Sequence, residues 1–384
     1  MRRRIGSAFL ATAAILCGGC GGDDGGGGAP AFTVATYNAG LATGFVEYAD
    51  ERLPLIGPAV AALDADVVCL QEVWTQAQAD AVLAAAKDAF PHQYYEVTKG
   101  EWGDTAAACR EAESGPLGAC AKKRCGDKAP GDLAKCVLGN CKPEFDALSS
   151  PCVTCVGANV GKALQEILDA CAKPGAAVWT YDGRNGLILL SKHPLSGTEY
   201  RRLDSYLIVR VVLHAVAAVP EAGSVDVFCT HTTADFGTEV PYAGKDASWG
   251  EEQGKQLDAI LGWMGEREDK ATPTVLLGDL NCGPAKGSVT AVHPENFAKL
   301  AAAGMAVPYA DQGDPACTFC GSNPLVGDDG SEVIDHVAVA HPAAGTAYEP
   351  ARVLDQPVTI QSGGQPVETR LSDHYGVKVR ITLP

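Results

Sequence analysis

Asp279-Leu280-Asn281 follows the apolar run Val275-Leu276-Leu277 and Gly278, so two short polar side chains stand two residues apart where a buried strand runs out. Side chains at i and i+2 of a strand share a face, which lets Asp279 and Asn281 reach into one site. Gly283-Pro284 ends the element. Five similar polar groups stand at strand ends elsewhere: Asn38, Gln71-Glu72, His231, Asp335-His336 and Ser372-Asp373-His374. Any one of them reads equally well as a cap, a turn or a satisfied polar residue. Together they supply carboxylates for a hard cation, amides for phosphate or metal oxygens, and imidazoles for proton transfer. The chemistry of phosphate esters asks for that mixture.

The elements that must position these groups can be read from the hydrophobic pattern. Strands are expected over 32–37, 66–70, 92–97, 186–191, 206–215, 225–230, 274–278, 333–339 and 375–381. Helices are expected within 51–63, where Pro54 and Pro58 blur the start, over the alanine-rich stretch 76–89, over 251–264 and around 296–303. In the third of these, Leu257, Ile260, Leu261 and Met264 fall on one core-facing side. Strands outnumber helices, and helices separate several strand pairs. That pattern predicts two packed sheets with helices outside rather than a simple parallel sheet. No internal repeat is evident.

Composition narrows the partners. The 384 residues carry a formal charge of −17; without the three arginines near the start, 27 basic residues face 47 acidic ones, or −20. Such a field repels nucleic-acid backbones at long range, although a bound cation can override it locally. Residues 1–20 read as an export signal, with Arg2-Arg3-Arg4, an apolar run over 5–16 too short to span a bilayer, and Cys17-Gly18-Gly19-Cys20. Cys20 fits the lipidated residue of a bacterial envelope lipoprotein; ordinary secretion is the alternative. Residues 21–30 form a Gly-rich tether, leaving 31–384 as the folded domain.

Thirteen cysteines lie beyond Cys20, a density suited to an oxidising compartment. Eight of them, Cys109, Cys120, Cys125, Cys136, Cys141, Cys152, Cys155 and Cys171, crowd the segment 101–180, which lacks a long strand signal and reads as a disulfide-stapled insertion. Zinc binding around Cys152 and Cys155 is the weaker alternative. Cys317 and Cys320 suit a short disulfide, and Cys69 and Cys229 read as apolar core residues. Cys282 could pair with the Cys317 region or with the insertion, and an odd total leaves at least one thiol over.

In order, Thr36-Tyr37-Asn38, Gln71-Glu72-Val73, Thr230-His231, Gly278-Asp279-Leu280-Asn281, Ile334-Asp335-His336 and Ser372-Asp373-His374 resemble the motifs of the endonuclease/exonuclease/phosphatase superfamily. The resemblance implies a DNase I-like, four-layer α/β sandwich with two mixed, mainly antiparallel sheets face to face and a site at one sheet edge. It implies Mg²⁺, with Mn²⁺ or Ca²⁺ as substitutes, held principally by Glu72 with Asn38 and Asp373 nearby. It implies His374 as general base oriented by Asp335, Asp279 on the nucleophile or metal, and His231 and Asn281 donating to phosphate oxygens. The implied activity is hydrolysis of a phosphodiester by water, in a monomer with no protein partner inferred. Asn185-Gly186 with 187–194, and Thr230 to Asp235 followed by Gln256-Leu257, look more like the sphingomyelinase branch than the nucleases. Arg184 and Asn185 are phosphate-contact candidates, and Phe236, Tyr242 and Trp249 are candidates for a membrane-facing loop. A DNase I-like nuclease and a silent envelope binding protein remain alternatives.

Overall fold

Successive side chains of the first strand enter different cores: Phe32 and Val34 on one face, Ala35 and Tyr37 on the other, all essentially without solvent exposure. A strand buried on both faces must lie inside a layered structure. The computed structural model describes all residues except 1–28, 100–105, 221, 238, 268, 270, 271, 328 and 329. The expected export signal, Cys20 and most of the tether therefore lie outside the described residues.

The chain begins β1 (Ala31–Asn38), α1 (Ala49–Ala61), β2 (Val67–Gln71), α2 (Gln76–Ala86) and β3 (His92–Tyr94). Five short helices follow: α3 (Glu111–Cys125), α4 (Pro130–Asn140), α5 (Lys142–Asp146), α6 (Ser150–Ala158) and α7 (Leu164–Cys171). Next come β4 (Ile188–Ser191), β5 (Leu195–Leu203), β6 (Arg210–Val219), β7 (Gly223–His231), α8 (Trp249–Arg267), β8 (Thr274–Asp279), α9 (Pro294–Ala302) and β9 (Met305–Ala306). The remainder is β10 (Phe319–Cys320), β11 (Ser331–Glu332), β12 (Asp335–Ala340), β13 (Ala347–Val353), β14 (Val358–Ser362), β15 (Gln365–Thr369) and β16 (Gly376–Thr382).

Two six-stranded sheets dominate, with orders β13-β16-β1-β2-β4-β3 and β5-β6-β7-β8-β12-β9. Each has one parallel pair, β1 with β2 and β7 with β8, among antiparallel neighbours. The sheets face each other across Phe32, Val34, Val67, Leu189, Val227 and Leu277. Helices α1 and α2 cover the outer face of the first sheet through Ile56, Val60, Val82 and Leu83. Helix α8 lays Leu257, Ile260 and Trp263 on the second. The result is the expected four-layer α/β sandwich with helices outside.

Several local expectations shift. The strand expected over 206–215 starts at Arg210, because Leu207 is left-handed with φ 64° and its carbonyl accepts from Thr180 N. Edge strands β5 and β13, and the β14–β15 hairpin, were not expected: their largely exposed, polar sequences carry no core-facing alternation. Helix α1 contains both Pro54 and Pro58, since its buried face is held by packing.

Cysteine pairing also departs from the sequence reading. Cys69 and Cys229 are buried as expected but are bonded to each other, joining β2 of one sheet to β7 of the other. Within the insertion the pairs are Cys109–Cys152, Cys120–Cys141, Cys125–Cys136 and Cys155–Cys171. Cys317 pairs with Cys320, which leaves Cys282 as the buried free thiol among the described residues, paired with neither of its expected partners. Six disulfides belong to an oxidising compartment, which makes this an exported protein.

Candidate active site

Strand register assembles the site. Asn38 closes β1 beside Gln71 of parallel β2, so Glu72 follows directly next to it. In the second sheet His231 closes β7 level with Asp279 of parallel β8, and Asp279 lies level with Asp335 of antiparallel β12. The loop before β16 then brings Ser372-Asp373-His374 to the same edge. Two of the residues that turn there, Glu72 and Asn281, have left-handed backbones with φ 58° and 47°, a conformation that non-glycine residues hold only when surroundings impose it. Gly40 (φ +55°) leaves room for the same cluster: a Cβ there would sit 2.2 Å from Asp373 Oδ1.

Asn38 Nδ2 joins the two sheets, donating to Glu72 Oε1 at 3.1 Å and to Asp279 Oδ2 at 2.9 Å. His374 Nδ1 lies 2.9 Å from Asp335 Oδ2, and its Nε2 lies 3.8 Å from Asp279 Oδ2. His231 Nε2 approaches Asp279 Oδ2 at 3.4 Å. Asn281 N donates to Asp279 Oδ1, while its Nδ2 donates to the Thr232 carbonyl. Ser372 Oγ donates to Asp373 Oδ1 and accepts from His374 N, which fixes the last loop. Behind the cluster, the buried Arg52 guanidinium donates to the carbonyls of Ala39, Gly40 and Leu371, tying the loop after Asn38 to the loop before Ser372.

A cleft of about 430 Å³ opens over these groups. Glu72, His231, Asp279, Asn281, Asp373 and His374 line it, together with Arg210, Trp74 and Tyr181. Burial pushes the Glu72 carboxyl upward, and Asp373 beside it adds to the shift. Burial, then Asp335, pushes Asp279 up to about 7. For His374 burial works against charge, but Asp335 and Asp279 outweigh it and hold the imidazole well above its usual range. His231 goes the other way, driven well below by burial and by the charges of Arg210 and His374. The two imidazoles are thus pushed apart in protonation.

Glu72 Oε2, Asp335 Oδ1 and His231 Nδ1 are buried without a hydrogen-bond partner. Such atoms are costly unless something else satisfies them. Asp279, Asp335 and His374 offer ligand atoms within 4.8 Å of one another, so the cluster can hold a divalent cation. Crowded carboxylates, a partnerless oxygen and carboxyl groups shifted upward fit a hard cation taking oxygen ligands.

Not every sequence candidate reaches this cleft. Asn185 is buried but turned inward, donating to the Glu96 carbonyl and Thr98 Oγ1 and accepting from Leu187 N. It builds the turn that leads into β4, and neither it nor Arg184 lines the cleft. His336 points to the opposite side of β12, bonded to the Cys282 carbonyl and packed on Phe297. Tyr242 and Trp249 pack with Tyr206 against the insertion, so they are no membrane-facing loop. Phe236 touches Trp249 and also lines the cleft.

Arg210 was missed. It is 2 % exposed at the start of β6, and its Nε and Nη1 have no partner. Burial lowers it to about 10, which leaves it charged at neutral pH. Its guanidinium lies 6.0 Å from the Trp74 ring, itself stacked on Tyr181. A single arginine opening a largely apolar strand was the available signal.

Residues 35–374 match the sequence profile of the Endonuclease/Exonuclease/phosphatase family. The chain belongs to that family. No curated protein sequence matches the chain. Among solved structures it is similar to sphingomyelinase C from Streptomyces griseocarneus, with 21% identity, TM-score 0.55, and coverage of 91% of this chain and 99% of that one. A mutant beta toxin from Staphylococcus aureus with bound magnesium ions gives 13% identity and TM-score 0.55 over 91% of this chain and 99% of that one. A mannosyl-6-phosphatase from Bacteroides thetaiotaomicron gives 14% and 0.50, over 91% and 99%. At these identities the likenesses show the shared fold. Family membership and the buried acid–imidazole cluster together support a metal-dependent phosphodiesterase activity.

Proposed function

We propose that this family member is an exported, Mg²⁺-dependent phosphodiesterase whose substrate is a phospholipid head group, with sphingomyelin the first candidate. The observation that carries the reading is the cleft in which His374, backed by Asp335, faces Glu72 with its partnerless Oε2, while Arg210 stands charged beside them. Glu72 is assigned as principal metal ligand, with Asn38 and Asp373 close to the cation. When bound, the cation neutralises charge building on the phosphate and polarises its phosphorus–oxygen bonds.

His374 is assigned as general base. Its Nδ1 is committed to Asp335, which leaves Nε2 facing the cleft; a cation bound among the carboxylates would offset the negative charge that holds the imidazole protonated, and the neutral Nε2 would then accept a proton from water as the water oxygen bonds to phosphorus. Asp279 lies 3.8 Å from that same Nε2 and orients the attacking water. Asn281 and Arg210 donate to non-bridging oxygens as negative charge grows there, and the depressed basicity of His231 suits it to act as a neutral donor. The bond from phosphorus to the leaving oxygen then breaks, and that oxygen departs as an alcohol on taking a proton from a water of the open cleft.

A lipid substrate is favoured by the cleft's surroundings: Phe45, Val46, Ile208, Phe236, Leu325 and Val326 share its walls with the charged groups. The overall acidity disfavours a polyanionic substrate, and the sphingomyelinase among the structural neighbours points the same way. Lipidation at Cys20 would hold the enzyme at the cell envelope, beside such substrates. One panel tests the reading, comparing sphingomyelin, phosphatidylcholine, double-stranded DNA, RNA and small phosphomonoesters with and without chelator. Phosphocholine release abolished by chelation and restored by Mg²⁺ is the expected result. Rapid DNA cleavage without lipid turnover would replace it with a nuclease.

A further inference from the structure

We infer that the cysteine-rich insertion carries a pocket for an acyl chain of the same substrate whose phosphate occupies the cleft, an inference that rests on the lipid reading above. Helices α3, α4 and α7 enclose a cavity of about 80 Å³ lined by Leu117, Ala134, Val137, Leu164 and Ile167 among other apolar groups. Lys162 is the sole charged side chain among the described lining residues, and it is exposed, with its Nζ bonded to Asn159. At the roughly 30 Å³ that one water takes, the space suits two or three methylene-sized groups and offers water almost no partner.

Position says what would enter. Phe45 lines both this cavity and the catalytic cleft, and it is one of three exposed large hydrophobic residues among the described residues, at 39 %. Leu207 lines the cavity while Ile208 lines the cleft; Val240 lines the cavity while Glu239 lines the cleft. Three separate chain segments therefore border both spaces, and the Phe45 side chain is common to the two walls, so the apolar cavity adjoins the cleft at Phe45. A ligand holding its phosphodiester at His374 and Arg210 presents its hydrocarbon toward Phe45 and into the insertion. The disulfides Cys120–Cys141 and Cys125–Cys136 tie α3 to α4 and its C-terminal cap, and Cys155–Cys171 ties α6 to α7, so the helices around the cavity are covalently braced.

The test uses the whole exported protein and two filling substitutions on opposite walls, Ala134→Trp and Leu164→Trp. Two readouts are needed: calorimetric binding of a single-chain phosphocholine amphiphile below its micelle concentration, and hydrolysis of bis(4-nitrophenyl) phosphate, which has no acyl chain. The expected result is chain binding by the wild type and a loss of about tenfold or more in both variants, as two or more methylenes are displaced. Turnover of the chainless diester stays unchanged and shows that the fold survives. No binding by the wild type, or equal binding by all three proteins, overturns the pocket. Chain binding without hydrolysis of any phospholipid upholds the pocket and overturns the substrate reading instead.

Discussion

The sandwich and the insertion solve the same problem by different means. Sheets six strands wide bury continuous apolar runs between themselves and under three helices, and one disulfide, Cys69–Cys229, crosses that core. The five short helices of the insertion pack around a small apolar cluster and carry four disulfides. A short segment cannot remove enough apolar surface from water to offset its lost conformational entropy, so covalent links must reduce the freedom of its unfolded state instead. The same contrast separates their roles. Rigid strand ends hold charged groups within hydrogen-bond distance, whereas the stapled helices enclose an apolar space beside them.

The largest expected effect lies wholly in the sandwich. His374→Ala should lower turnover of the chainless diester by about a thousandfold, with thermal unfolding unchanged; near-normal rates would remove it as the base. Glu72→Gln should weaken Mg²⁺ binding measured by calorimetry and reduce activity with it, and an unchanged metal titration would take Glu72 out of the ligand set.

Stability changes come next. Replacing Cys69 and Cys229 together by alanine frees a link spanning 160 residues, and chain entropy assigns about 5 kcal/mol to a loop of that size. Denaturant unfolding should show a global loss of that order. Removing Cys125–Cys136, separated by 11 residues, should cost about 3 kcal/mol by the same reasoning. Limited proteolysis should find that loss confined to the insertion, and cleavage spreading into the sheets would break the distinction between the two regions. The smallest effect is expected at the exposed pair Lys245–Asp204: Lys245→Ala should shift stability by less than about 0.5 kcal/mol.

Much of the site could be read without coordinates because its residues stand at strand ends, which are visible as the places where apolar runs start or stop. Asn38, Glu72, His231, Asp279, Asp335 and His374 all belong to that class. Arg210 was hidden because a lone arginine before an apolar run has many ordinary explanations, whereas Asp335 and His374, which also stand at the start of strands, sit beside other polar residues. Arg184 and Asn185 misled for the converse reason: Asn185 is polar, sits before a strand and is spent on local backbone bonds.

The amino-acid sequence alone determined the continuous apolar runs that bury both faces of the central strands, the excess of cysteine in one segment, and the six polar strand ends. Tertiary structure decided the rest. Only the facing of two sheets brings Cys69 to Cys229, with a Cα–Cα separation of 5.5 Å after 160 residues, and only strand register sets Asp335 level with Asp279. Patterning is a property of neighbours along the chain, whereas these contacts join segments far apart in it. Their distances follow from which sheet edge each strand was given, and the same burial leaves Glu72 Oε2 and the Nε and Nη1 of Arg210 without partners.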